Sequence, residues 1–141
     1  MLCYKNGALA REQVRDRYAG GNWTRFNELV QKSPPGCNGL VGFYFPLPEI
    51  IPSNVTGEFF FTINHTTSAD IRPFVVDSIP ASFHPRVILE SQLLSIRSRI
   101  QHILPEGSPP LRRLVLSGGG SANEAIRQLS AVGVIQFDDY D

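Results

Sequence analysis

Little in this chain marks it as a specialised protein. It has only two cysteines in 141 residues, Cys3 and Cys37. They are too few for a disulfide scaffold and form no Cys-x-x-Cys motif, so a reducing cytoplasm is the expected setting. Charge of one sign is lacking too: 13 basic residues balance 13 acidic ones. That balance leaves no electrostatic footprint of a nucleic-acid or membrane-surface partner. No apolar run approaches the roughly 20 residues of a membrane span. The opening MLCYKNG lacks the long apolar stretch of a signal peptide. Without one, the sequons at Asn22, Asn54 and Asn64 carry little weight. Twelve glycines and eleven prolines are too few for a low-complexity or disordered chain.

What is present is alternating helix and strand pattern, so the expected class is α/β. Met1 to Tyr4 reads as the end of a strand, with Cys3 a buried thiol, and Asn6-Gly7 as a turn. A helix follows over 8–18, with Ala10, Val14 and Tyr18 at steps of four, and Gly20-Gly21 ends it. Asn22 or Thr24 caps a second helix that places Trp23, Phe26, Leu29 and Val30 on one face. Residues 39–45 and 58–63 read as strands, rich in aromatic and β-branched side chains. The stretch PLPEIIPSNVTG between them reads as a surface loop, and residues 66–77 as irregular.

The third helix has Pro85 at its start, with Ser82 or His84 as cap. Leu89, Leu93, Ile96, Ile100 and Ile103 form one apolar stripe, which needs a sheet to cover it. LRRLVLS at 111–117 then reads as a strand. Gly118-Gly119-Gly120 follows it, and Ser121 and Glu124 form a capping box that opens a last helix. A helix N-terminus offers unpaired N–H groups, and glycines before it let a ligand reach the backbone. This is neither a Walker loop nor the dinucleotide fingerprint, because the lysine and the glycine spacing are absent.

The remaining polar residues favour plain roles. Asp138, Asp139 and Asp141 read as a solvated acidic end, and His65, His84 and His102 as surface or cap residues without metal-ligand spacing. The Phe59-Phe60-Phe61 run reads as core or interface packing. Residues alone therefore give no catalytic group and no metal site.

The stretch SGGGSANEAIRQLSA resembles the adenosine-binding motif of the FGGY carbohydrate kinases. CYKNGALAREQVRDRYAGGNWTRFNELV, GLVGFYFPLPEIIP and HPRVILESQLLSIRSRI are similar to the C-terminal domain of that family's eukaryotic xylulose kinase branch. The resemblance covers about residues 1–131, in the family's order. It implies part of the C-terminal domain of the actin/hexokinase/Hsp70-like (ribonuclease H-like) kinase fold, incomplete at both ends, with 132–141 a divergent tail. It also implies ATP/ADP with Mg²⁺ as cofactors and transfer of phosphate from ATP to D-xylulose. Its nucleotide-binding residues would be Gly118, Gly119, Gly120 and Asn123, with Ala8 and Glu12 bordering the nucleotide. The sugar pocket, general base and metal ligands would belong to an N-terminal domain outside this chain, leaving the chain inactive by itself. The alternative expectation is a non-catalytic remnant that binds a nucleotide or a partner.

Overall fold

The computed structural model describes residues 3–64, 72–109 and 111–135. In order they form α1 (Gly7–Ala19), α2 (Trp23–Lys32), β1 (Leu40–Phe45), β2 (Gly57–Asn64), β3 (Arg72–Val76), α3 (His84–Ile103) and α4 (Glu124–Ile135). Short 3₁₀ turns lie at Pro35–Gly39 and Gly119–Ala122. The chain divides into two compact units whose boundary falls between Ile88 and Leu89, within α3.

In the first unit, α1 buries Ala10 and Val14, four residues apart and hence on one face. Gly20, at φ 60°, stops the helix, and the Gly21 N–H bonds the Arg15 carbonyl at 3.2 Å. Asn22 caps α2: its side-chain oxygen accepts from the N–H groups of Thr24 (2.7 Å) and Arg25 (3.1 Å). Phe26, Leu29 and Val30 then bury one face of α2. The sheet is antiparallel in the order β1-β2-β3. Gly42 stands opposite Phe60, and a Cβ there would sit 2.8 Å from Cγ1 of Val87. Only glycine allows the first turn of α3 that close to the strand.

Several expectations change. Strand β3 lies in a stretch read as irregular, and Pro73 is what disguised it. Pro73 pairs with Ile63 on the last strand of the sheet, where a missing N–H can be tolerated. Residues 65–71 lie outside the described set, with His65 among them. Cys3 is exposed and in no strand, whereas Cys37 is buried; neither forms a disulfide. Met1 and Leu2, the rest of that expected strand, are outside the described residues. The run 111–117 forms no strand either, and Val115 is 79% exposed. A strand needs a neighbour to take its N–H and C=O groups, and no described residue pairs with these.

In the second unit, Leu89 at the start of the apolar stripe is buried, but Ile103 at its end is 68% exposed. Helix α4 buries Ala125 and Ser130, and Ile126 and Leu129 are half-buried. At Gly133 a Cβ would lie 3.5 Å from Cβ of Leu93, so α4 passes close to α3 within this unit.

Candidate functional site

The candidate site is the turn that leads into α4. Gly118 has φ 80° and ψ −173°, a conformation essentially reserved for glycine. Its carbonyl accepts from the Ser121 N–H at 3.0 Å and from the Ser121 hydroxyl at 2.7 Å. The Asn123 N–H closes the turn on the Gly120 carbonyl at 3.2 Å. Asn123 itself is extended (φ −85°, ψ 121°), and its side-chain oxygen accepts the Ile126 N–H at 3.1 Å. Asn123 is therefore the N-cap of α4.

This corrects the expected capping box. Ser121 is committed to Gly118, because the 3₁₀ turn uses residues 119–122 and delays the helix to Glu124. Gly118 and Gly119 are exposed, and a Cβ built on either would meet nothing within 4 Å. The backbone of the turn is thus open to a ligand, without the strand expected before it. Glu124 puts a carboxylate in the first turn of α4 and offsets the positive end of the helix dipole. That balance suits an uncharged nucleoside better than a phosphate. No group of three or more His, Cys, Asp or Glu among the described residues could hold a metal ion. The turn presents exposed backbone at Gly118 and Gly119 beside the amide-capped start of α4. Asp138, Asp139 and Asp141 lie outside the described residues.

Ala8 and Glu12 belong to the first unit, one turn apart on α1, and both are exposed. His102 is exposed, its Nδ1 lying 2.6 Å from the Ser98 carbonyl.

Two buried polar clusters of the first unit were missed by the sequence reading. Glu49, in the loop expected to lie at the surface, is only 4% exposed. Its carboxylate accepts the N–H groups of Lys5 (2.9 Å), Asn6 (3.2 Å) and Ile50 (2.7 Å), and the Asn6 side-chain amide (3.0 Å). Burial works to raise its pKa, but these donors outweigh it and hold the group below the ordinary carboxylate range. The one signal was that Glu49 is the only charged residue in PLPEIIPSNVTG. The second cluster surrounds His84, the first residue of α3, which is only 4% exposed and not a surface residue. Its Nδ1 lies 2.9 Å from the Tyr44 hydroxyl, and Phe60 meets the ring edge-on.

The model of the FGGY family of carbohydrate kinases, C-terminal domain, matches residues 2–133. Over 134 residues the chain is 37% identical to Xylulose kinase 2 of Arabidopsis thaliana, covering 92% of this chain and 23% of that protein. It is 36% identical to Probable D-xylulose kinase A of Arthroderma otae and of Aspergillus fumigatus, covering 92% of this chain and 26% of each relative. The chain thus spans about a quarter of the length of these relatives. No helix among the described residues is long and apolar enough to cross a membrane. On the match to residues 2–133, the chain belongs to the FGGY family of carbohydrate kinases, within its C-terminal domain.

Proposed function

We propose that this chain is the nucleotide-binding C-terminal portion of a D-xylulose kinase, which converts ATP and D-xylulose to ADP and D-xylulose 5-phosphate. The observation that carries the reading is the open glycine turn 118–120 running into an Asn123-capped helix. It occurs in a chain 36–37% identical to xylulose kinases. In this reading the backbone of Gly118, Gly119 and Gly120 backs the adenosine. The Asn123 oxygen caps the helix, so a hydrogen bond from this side chain to the nucleoside comes from its NH₂ group. Ala8 and Glu12 enter on the family resemblance alone, as residues bordering the nucleotide. ATP supplies the γ-phosphoryl group and MgADP is the leaving product. The sugar pocket, general base and metal ligands belong to the family's N-terminal domain, in a kinase of ribonuclease H-like fold. The chain works in a reducing compartment, where Cys3 and Cys37 stay out of disulfides.

The test is a calorimetric titration of ADP into the chain and its Asn123→Asp variant. Aspartate caps a helix as well as asparagine but has no NH₂ to donate. Saturable binding by the wild type is expected, with affinity about 2- to 13-fold weaker in the variant, the worth of one hydrogen bond. Thermal melts run in parallel separate a lost contact within the fold from a lost contact to the nucleoside. Equal affinity in both proteins, or no saturable binding, rejects the site. Phosphoryl transfer needs positioning, Mg²⁺ and a base together, so the chain alone should not turn over D-xylulose. Turnover near an ordinary enzyme rate of about 10 s⁻¹ would reject that part.

A further inference from the structure

We propose that the outer face of the sheet in the first unit, with the loop at its end, docks against a second copy of this chain. Alternation along the strands puts Gly42, Tyr44 and Phe60 inside. Val41, Phe43, Phe45, Phe59, Phe61 and Val75 share the opposite face. The register groups them: Phe43 stands opposite Phe59, and Phe61 pairs with Val41 on one side and Val75 on the other. Phe43 remains 37% exposed and Val75 76% exposed, so this face is open. The loop 46–56 joins Phe45 to Gly57 at one end of the face. It adds Leu47, Ile50 and Ile51, each 43–49% exposed. Its one charge, Glu49, is turned inward onto the N–H groups of Lys5, Asn6 and Ile50.

The size of the patch sets the kind of partner it needs. These side chains leave about 700 Å² of apolar surface in water, counting about 200 Å² for a whole phenylalanine. The largest apolar patch on a monomer is usually about 300–600 Å², and a standard interface takes about 800 Å² from each partner. The patch therefore matches one side of a stable dimer. Charge selects the second copy as that partner. No described strand residue on this face is charged, and Glu58, on the other face, is held by Arg17 at 2.8 Å. A two-fold contact sets a surface against itself, so any charge in it would meet its own sign. Apolar composition of this kind belongs to homodimer interfaces more than to transient ones. The face is also ordered in advance. Phe43 stacks on Phe45 with centroids 6.3 Å apart and meets Phe61 edge-on at 6.0 Å. The Asn6 amide holds the N–H and the carbonyl of Leu47, each at 2.8 Å. Little side-chain or loop freedom is then lost on docking.

The experiment is sedimentation equilibrium of the full chain over a range of concentrations, with thermal melts in parallel. The variants are Phe43→Asp, Phe43→Lys and an equimolar mixture of the two. The wild type is expected to reach a reversible dimer and stop there, as a closed two-fold contact must. Either charge at position 43 should weaken the dimer by about tenfold or more in a chain that still melts cooperatively. Mixing the two variants should recover much of that loss, because opposite charges then meet. Should the position 43 variants not fold, Val75→Asp and Val75→Lys, on the same face and more exposed, are read the same way. A wild type that stays monomeric would overturn the proposal and leave the face to another protein segment. Growth into larger species without a dimer endpoint would overturn it too, as would a dimer that neither charge weakens.

Discussion

The imidazole of His84 lies flat against the ring of Tyr18, with centroids 3.8 Å apart and planes inclined by 8°. Tyr44 and Phe60 close the other sides edge-on, so α1, β1, β2 and the start of α3 meet at one side chain. Burial pushes the Tyr44 phenol upward, with Glu58 adding to the effect, and its hydroxyl shares a hydrogen bond of 2.9 Å with Nδ1 of His84.

Acid should weaken this fold. Burial pushes the His84 imidazole from 6.5 down to about 4, against a hydrogen bond with the Ile79 backbone and aided by Arg17. The folded pKa is the lower one, so the unfolded chain takes up a proton that the folded chain refuses. Stability is full above about pH 6.5 and falls as the pH drops toward 4, by about 3 kcal/mol. Glu49, whose folded pKa is also lowered, acts in the same direction. Urea unfolding across this window should show the loss, and His84→Phe should flatten it. An unchanged slope in that variant would remove His84 as the cause.

Gly42→Ala should destabilise the first unit by about 1–3 kcal/mol, because its Cβ falls 2.8 Å from the stiff, branched Val87. Val87→Ala in the same chain should recover part of the loss. Strictly additive losses would mean that the two positions do not press on each other.

Asn22→Ala should cost about 1 kcal/mol, since it removes the acceptor for two N–H groups of α2. Asn22→Asp should be nearly neutral. Chemical denaturation of the two variants checks the contrast.

Gly119→Val should leave the fold within about 0.5 kcal/mol of the wild type, because its side chain would enter open space. The same branched group would stand where the nucleoside meets backbone, so ADP binding should weaken by about tenfold or more. Gly118→Ala differs: at φ 80° and ψ −173° it should cost about 1–3 kcal/mol of stability. A Gly119→Val chain that binds ADP normally would place the nucleoside elsewhere.

Local rules account for much of this structure. Helices α1 and α2 were legible because a period of four, an Asn22 cap and a left-handed Gly20 act within a few residues of each other. Strands β1 and β2 announced themselves by composition, and Phe60 proved buried while Phe59 stayed 41% exposed, as alternation requires. Gly118 to Gly120 and Asn123 lie in one turn that enters a helix, as the sequence pattern predicts.

What the sequence determined by itself was therefore the elements whose hydrogen bonds and apolar faces are local, together with the family. Tertiary structure decided the rest. Pro73 became a strand because Ile63 lay beside it, and LRRLVLS formed none among the described residues because nothing there paired with it. Glu49 and His84 could be buried only because N–H groups from Lys5 and Asn6, and a ring and a hydroxyl from Tyr18 and Tyr44, were brought to them from forty or more positions away. A polar side chain goes inside only when its partners are already there, and partners so distant leave no periodic trace in the chain.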